Sequence, residues 1–152
     1  PVNDKQIFVF GGLTDVVWEG VFDAFRNNTL LYDLETDSWT EVGGLPSPRY
    51  GLAATVYRCT KNLSPFELQT AILLVGGAIN EKTTDQCFSF VPEPDQSPVD
   101  HRWSLQTPLP QGPRKFAGIV YDGQYIFVIG GQDESNTPQS SNQIFQGVYS
   151  TP

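Results

Sequence analysis

The hydrophobic pattern contains three short apolar runs, and each run ends in a glycine pair. The runs and their pairs are Ile7–Phe10 before Gly11-Gly12, Ile72–Val75 before Gly76-Gly77, and Tyr125–Ile129 before Gly130-Gly131. Their continuous apolar character predicts strands that are buried on both faces. No segment keeps a period of 3.6 over several turns, so the pattern predicts strands rather than long helices.

Two further features recur after the first two glycine pairs. Trp39 follows Gly12 and Trp103 follows Gly77, at spacings that differ by a single position. A Pro-Arg step that contains Arg49 or Arg114 comes after each tryptophan, again at spacings that differ by a single position. Because the features recur in one order and at nearly constant spacing, we interpret the chain as an internal repeat.

Each repeat unit is predicted to hold four strands, of which the glycine-terminated run is the second. The other predicted strands are 51–57 and 116–121 as first strands, 29–34, 87–91 and 143–149 as third strands, and 38–42 and 102–106 as fourth strands. The units are therefore about 1–45 (strands two to four), 46–107 (a full set) and 108–152 (strands one to three). The segment Cys59–Thr70 accounts for the extra length of the second unit, and we expect it to be a polar surface loop.

A period of roughly 50 residues with four strands, a glycine pair and a later tryptophan resembles the kelch motif, the blade of a β-propeller. The resemblance implies an all-β fold of four-stranded antiparallel sheets. Glycines are expected where the chain needs positive φ, and tryptophans are expected to fill the space between neighbouring sheets. The structural positions of the motif are Gly11, Gly12, Trp39, Gly76, Gly77, Trp103, Gly130 and Gly131.

The predicted strands amount to two and a half blades, whereas propellers close with about four to eight. An incomplete ring leaves apolar sheet faces without a neighbouring blade. We therefore expect this chain to be a piece of a longer propeller or one subunit of a larger assembly. Further blades, from the same or another chain, are its expected partners, and self-association through the open edges is an alternative.

Composition and charge narrow the function classes for these 152 residues. The net charge is −8 and the pI is near 4.4, so nucleic acid is a poor candidate partner. No apolar run approaches the roughly 20 residues of a membrane span. One histidine, His101, and two cysteines do not supply the ligands of a zinc site or of a copper oxidase. We therefore expect no metal and no cofactor.

Two arginines are the first candidates for binding. In some kelch domains the arginine two residues before a strand-opening glycine contacts the ligand; Arg49 fits that position before Gly51, whereas Arg114 fits it less well. The alternative is that each arginine ties adjacent loops together by hydrogen bonds to the backbone. Asp133, after the last glycine pair, is a candidate carboxylate in a channel.

A long apolar loop is the second candidate for partner binding. Trp18 and Phe22 lie in the segment Leu13–Asn28 and have no counterparts in the other units. A loop with this much apolar surface either folds back over the disc or presents a contact surface, and we favour the contact surface.

The remaining candidate features are an acidic segment, two cysteines and two sequons. Asp33, Glu35 and Asp37 predict a hairpin turn rather than a calcium loop. Cys59 and Cys87 are placed on opposite edges of one sheet, so we expect no disulfide between them. The sequons at Asn27 and Asn62 are candidate glycosylation sites in loops, at a frequency near that expected by chance.

These observations favour a non-catalytic module for protein binding or structural assembly. Rigid sheets that hold variable loops suit such a role. The alternative is a kelch-type enzyme that acts on a sugar, similar to a mutarotase, with an arginine and a carboxylate in the channel. The compartment stays open between cytoplasm and cell exterior.

Overall fold

The computed structural model describes residues 5–13, 26–61, 64–79, 82–92 and 102–146. Within these ranges the regular structure is almost entirely β, in antiparallel sheets, and the sheets form no closed ring. The strands are β1 (Gln6–Phe10), β2 (Asn28–Asp33), β3 (Ser38–Gly44), β4 (Ala53–Lys61), β5 (Ser64–Val75), β6 (Ala78–Ile79), β7 (Lys82–Thr83), β8 (Cys87–Phe90), β9 (Trp103–Gln106), β10 (Gly118–Tyr121), β11 (Tyr125–Ile129) and β12 (Asn142–Gln146).

Three main sheets follow one another along the chain. The first sheet has the order β1-β2-β3, the second β4-β5-β8-β9 and the third β10-β11-β12. The three sheets thus hold three, four and three strands in the described part of the chain. A small hairpin of β6 and β7, which the sequence pattern did not predict, lies in the loop after the second glycine pair.

The segment Cys59–Thr70 is not a polar loop as expected. It lengthens the hairpin of β4 and β5, in which Cys59 pairs with Gln69 and Thr60 with Leu68. The pairing register continues unbroken from Ala53 to Thr60, so backbone hydrogen bonds extend the hairpin past the length of its equivalents.

The two faces of the second sheet pack against different neighbours because successive side chains of a strand point to opposite faces. Ile72 and Leu74 belong to a core with Phe8 and Phe10 of the first sheet. Leu73 and Val75 belong to a core with Ile126 and Val128 of the third sheet. The second sheet is therefore covered on both faces, whereas the described residues cover the first and third sheets on one face each.

Candidate functional site: arginine links and outer sheet faces

Arg49 is buried at the junction between the first and second sheets, with 1 % of its surface exposed. Its guanidinium donates to the carbonyl oxygen of Gly76 at 3.2 Å and to Oε1 of Gln86 at 3.2 Å. It also donates to Oγ of Ser47 at 2.5 Å and lies 4.9 Å from the ring centroid of Phe88. Burial lowers the pKa of Arg49 from its usual value, because the charged form loses hydration.

Arg114 has the same place in the third sheet and is 2 % exposed. Its guanidinium donates to the carbonyl oxygen of Gly130 at 3.1 Å. It also donates to the carbonyl oxygen and to Oγ of Ser141, both at 3.0 Å. Each arginine thus binds the carbonyl of the first glycine in the pair of its own unit.

The carbonyl group of each arginine binds the glycine pair of the preceding unit. The amide of Gly12 donates to the carbonyl oxygen of Arg49 at 3.1 Å, and that of Gly77 donates to the carbonyl oxygen of Arg114 at 2.8 Å. Each arginine therefore joins two successive sheets, with its backbone on one and its side chain on the other.

These hydrogen bonds are those expected if Arg49 and Arg114 hold the sheets together. The acceptors described for both guanidinium groups are neutral carbonyl, hydroxyl and amide oxygens of the chain itself. Because Arg49 and Arg114 are buried, neither presents a guanidinium surface to a partner in this structure. Ligand binding by either arginine stays a prediction, and their contacts do not favour it.

The two repeated tryptophans differ in their surroundings. Trp103 packs between sheets, with its ring 4.7 Å from that of Phe90 and 5.9 Å from that of Phe10. Trp39 contacts Tyr32 of its own sheet at 4.9 Å and is 57 % exposed. The expectation that Trp39 is a core residue is wrong for this chain alone, because no sheet packs against its face in the described structure.

The strand register defines the exposed face of the first sheet, which we call the leading face. Val9 pairs with Leu30, Ile7 with Tyr32, and Tyr32 with Trp39, so these side chains share one face. In the second sheet the equivalent residues are Leu74 with Phe88, Ile72 with Phe90, and Phe90 with Trp103. Leu74 is 1 % exposed, whereas Val9 is 42 % exposed.

The opposite face of the third sheet is also open, and we call it the trailing face. Phe127 pairs with Val120 and Ile144, and Ile129 pairs with Gly118 and Asn142. Val120, Ile129 and Ile144 are large apolar side chains that are about half exposed. Leu73 and Val75, the equivalents of Phe127 and Ile129, are buried against the third sheet. Wherever two sheets of this chain are neighbours, the equivalent of the trailing face on one sheet packs against the equivalent of the leading face on the next.

Asp133 organises its own loop. Its carboxylate accepts hydrogen bonds from the amides of Ser135 and Thr137, both at 2.9 Å, and from the side chain of Gln139 at 2.8 Å. These contacts are those of a loop-capping residue. A role for Asp133 in binding a partner stays a prediction.

The predicted acidic turn is confirmed. Oδ1 of Asp33 accepts hydrogen bonds from the amides of Glu35 and Thr36 at 2.8 and 3.0 Å, and Tyr32 bonds the side chain of Asp37. Backbone hydrogen bonds to its carboxylate lower the pKa of Asp33. The carboxylates therefore shape the hairpin between β2 and β3.

The two cysteines lie on opposite sides of β5. Cys59 is opposite Gln69 and Cys87 is opposite Val75, which lies further along the same strand. Cys59 is half-buried and Cys87 is buried. Burial, together with the nearby charge of Asp85, raises the pKa of the Cys87 thiol to about 12.

Some predicted residues lie at the margin of the described ranges or outside them. Asn27 is exposed, and its carbonyl oxygen accepts a hydrogen bond from the amide of Leu45. Trp18, Phe22, Asn62 and His101 lie outside the described residues, so their predicted roles stay predictions.

Three positions that shape the junctions between sheets were not predicted from the sequence. Leu45 and Leu109 precede the Pro-Arg steps and are 5 % and 3 % exposed, so each belongs to a core between sheets. A Leu-Pro step before both arginines was the available signal. Phe116 is the third position: with a φ of 56° it has the left-handed conformation of Gly51, two residues after the arginine.

The described part of the chain has neither a candidate metal site nor a candidate membrane-spanning helix. No group of three or more His, Cys, Asp or Glu side chains in it is arranged to hold a metal ion. It also contains no helix with the length and hydrophobicity that crossing a membrane requires.

Comparison with known proteins supports the repeat. A family model described as "Kelch motif" matches residues 2–46, and a second model of that description matches residues 113–146. Beta-scruin of Limulus polyphemus is 28 % identical to this chain over 154 residues. That alignment covers 94 % of this chain and 14 % of beta-scruin, so the chain spans about a seventh of the length of this relative.

Proposed function

We propose that this chain, which belongs to the kelch-repeat proteins, is a non-catalytic structural and protein-binding segment of a larger β-propeller. In this proposal the leading and trailing faces each pack against a further kelch blade. The module acts by assembly: its sheets stack around a common axis and hold loops at the rim for a protein partner.

The observation that carries the proposal is the contrast between equivalent residues. Leu74 is 1 % exposed and Trp103 packs on Phe90, because the first sheet covers the face on which they lie. On the leading face, Val9 and Trp39 hold the register positions of these two residues and are 42 % and 57 % exposed. Burial of one large apolar side chain contributes about 1.5–3 kcal/mol, so covering several of them supplies a substantial driving force.

The segment 13–28, most of which lies outside the described residues, supplies a second part of the proposal. Trp18 and Phe22 remain our candidates for contact with a protein partner, on the basis of the apolar composition of this segment. No observation favours the sugar-acting alternative, since both repeated arginines are hydrogen-bonded to the chain itself.

Sedimentation velocity on the 152-residue chain tests the assembly proposal. We expect the wild-type chain to form particles that grow with concentration, because the leading face of one copy fits the trailing face of another. Val9→Lys and Ile129→Lys each place a charge on one open face and should yield monomers. Gln124→Lys, in an exposed turn of the third sheet, is the matched control and should assemble like the wild type.

A mixture of the Val9→Lys and Ile129→Lys variants tests whether the two open faces pair with each other. Val9→Lys keeps an intact trailing face and Ile129→Lys keeps an intact leading face, so the mixture should form a dimer that grows no further. Circular dichroism and urea unfolding check that both variants are folded. A wild-type chain that remains a folded monomer at every accessible concentration would overturn the proposal.

A further inference from the structure

Ser47 is a hydrogen-bond partner of Arg49 at the junction between the first and second sheets. It lies in the loop between β3 and β4, two residues before the arginine. Its Oγ accepts a hydrogen bond of 2.5 Å from the guanidinium of Arg49. Ser47 itself is half-buried, whereas Pro46 and Pro48 on either side of it are exposed. The hydroxyl group therefore lies between the protein surface and a buried positive charge.

The guanidinium of Arg49 has no anionic partner in the described part of the chain. Its acceptors there are the carbonyl oxygen of Gly76, Oε1 of Gln86 and Oγ of Ser47, all of them neutral. Its Nε is buried and has no hydrogen-bond partner among the described residues. An anion that accepts hydrogen bonds stabilises a buried cation more than neutral oxygens do. The guanidinium is thus suited to bind an anion formed on Ser47.

The loop that carries Ser47 is held mainly at its two ends. The amides of Leu45 and Arg49 donate to carbonyl oxygens of the segment just before β2, at 2.5 and 3.3 Å. Between these ends the two prolines have no amide hydrogen to donate. Ser47 makes no hydrogen bond between backbone groups within the described residues. Moving Ser47 away from the surface therefore costs one side-chain hydrogen bond, and the loop is able to enter the active site of an enzyme.

A proline follows Ser47 directly, and protein kinases of the proline-directed class modify a serine or threonine at this position. The sequence contains six such steps, which begin at Ser47, Ser64, Ser97, Thr107, Thr137 and Thr151. The structure describes the side chains of Ser47, Thr107 and Thr137. Of these three hydroxyl groups, that of Ser47 contacts a cation, whereas Thr107 and Thr137 are exposed and have no described contact with one.

We propose that Ser47 is a phosphorylation site for a proline-directed protein kinase and that the phosphoserine pairs with the guanidinium of Arg49. In the reaction, Oγ of Ser47 forms a bond to the γ-phosphorus of ATP, and the bond from that phosphorus to the bridging oxygen of the departing ADP breaks. The hydroxyl proton goes to the catalytic aspartate of the kinase. The product carries a charge of about −1.5 to −2 at pH 7 and three strong acceptor oxygens.

Phosphorylation at this position strengthens the link between the first two sheets. The carbonyl oxygen of Arg49 accepts from Gly12 of the first sheet, and its guanidinium donates to Gly76 of the second. A phosphate on Ser47 replaces a neutral acceptor of that guanidinium by a charged one, and such hydrogen bonds are about twice as strong. The site lies between two sheets of this chain, so it goes beyond the assembly proposed above and does not depend on it.

The junction between the second and third sheets lacks an equivalent site. Gly112 stands before the Pro-Arg step that contains Arg114, so this loop has no hydroxyl group at that place. The hydroxyl partner of Arg114 is Ser141, which is followed by an asparagine rather than a proline. A proline-directed kinase would therefore act on one of the two described junctions and leave the other unchanged.

The first test is phosphorylation of the full folded chain by a purified proline-directed kinase with Mg²⁺ and ATP, followed by mapping of the modified residues by mass spectrometry. A peptide of residues 43–53 serves as the positive control for the kinase. We expect phosphate at Ser47 in the chain, and we expect Pro48→Ala to abolish it while any phosphate at Thr107 remains. An unmodified Ser47 in the chain, under conditions that modify the peptide, would overturn the proposal.

The second test compares urea unfolding of the chain with and without a phosphoserine incorporated at position 47 during synthesis. We expect the ratio of folded to unfolded chain to rise about tenfold, because charge-assisted hydrogen bonds form. Phosphoserine incorporated at position 107 is the matched control, since no cation is described beside Thr107, and it should change the ratio less than twofold.

Variants of Arg49 separate pairing with this residue from a general effect of the phosphate. Arg49→Ala should remove the gain in stability caused by phosphorylation of Ser47. Arg49→Lys keeps the positive charge without the planar fork, so it should retain part of the gain and supplies the comparison if the alanine variant does not fold. A phosphorylated chain that is no more stable than the unmodified one, or a full gain in both variants, contradicts the pairing.

Discussion

The guanidinium of Arg49 donates a 3.2 Å hydrogen bond to the carbonyl oxygen of Gly76, and both residues are buried between sheets. Arg114 and Gly130 repeat this contact at 3.1 Å. The Pro-Arg step and the glycine pair therefore act together. The side chain of each arginine donates to the first glycine of its own sheet, and its carbonyl oxygen accepts from the second glycine of the preceding sheet. The link is part of the repeat itself, and it explains why two motifs distant in sequence recur together.

Replacing Arg49 by alanine should destabilise the chain by about 3 kcal/mol, because buried acceptors lose charge-assisted hydrogen bonds. Arg49→Lys should lose less, since one ammonium group replaces part of the fork. Urea unfolding followed by tryptophan fluorescence measures both. Arg58→Ala, at an exposed residue of β4, is the control and should change stability by no more than about 0.5 kcal/mol. A loss at Arg49 as small as at Arg58 would contradict the structural role.

Gly76→Ala should be among the most damaging single substitutions. Gly76 has a φ of +61°, and an added Cβ would lie 2.1 Å from the carbonyl oxygen of Arg114. We expect a loss above about 3 kcal/mol, from left-handed strain and from steric overlap together. Gly112→Ala separates the two causes, because Gly112 also has positive φ but nothing within 4 Å of the added Cβ. Its loss should be about 1–2 kcal/mol, and similar losses at both sites would show that overlap adds nothing.

The two repeated tryptophans should respond differently to truncation in this chain. Trp103→Ala removes a ring packed on Phe10 and Phe90, and we expect a loss of at least about 2 kcal/mol. Trp39→Ala should cost less than about 1 kcal/mol, because the ring is 57 % exposed. Thermal unfolding of dilute samples compares them. Equal losses would mean that the leading face is already covered.

The buried thiol of Cys87 makes stability depend on pH. Its pKa is about 12 in the folded chain, mainly because of burial, against 9.0 for an ordinary thiol. The folded state therefore holds this proton more tightly, and the associated stability is complete below pH 9 and is lost as the pH rises toward 12. We expect the urea midpoint to fall over this interval in the wild-type chain and to fall less steeply in Cys87→Ala.

Cys59→Ala is the matched control for this pH dependence. Burial also raises the pKa of Cys59, but that thiol is only half-buried, so its removal should flatten the profile less. Alkylation with iodoacetamide gives an independent check, in which Cys59 should react before Cys87. An unchanged slope in Cys87→Ala would contradict the assignment.

Much of the fold was predictable from the hydrophobic pattern and the glycine pairs. The runs before Gly11, Gly76 and Gly130 form β1, β5 and β11, as their apolar character predicts. The predicted burial on both faces holds for β5 but is wrong for β1 and β11, because Val9 and Ile129 are 42 % and 47 % exposed. The extension of β4 and β5 was not predicted, because polar residues that satisfy each other's backbone across a hairpin look like a loop in composition. The hairpin of β6 and β7 was too short to leave a pattern.

The candidate site was predicted less well. Spacing singled out Arg49 and Arg114 as repeated residues, but it could not distinguish a guanidinium facing solvent from one buried against Gly76 and Gly130. That distinction depends on the path of the loop relative to the next sheet. Phe116 was overlooked as the equivalent of Gly51, because a phenylalanine in the left-handed region gives no sequence signal.

The sequence by itself indicated the glycine-terminated strands and the presence of a repeat, because apolar runs, glycine pairs and tryptophan spacing are local properties of the chain. Only the tertiary structure decided which side of each sheet is covered. Leu74 and Val9 occupy the same position in two units with similar apolar side chains, yet one is buried and the other is exposed. A residue of these sheets is buried only where a neighbouring sheet packs against it. The sequence of one repeat unit does not show whether that neighbouring sheet is present.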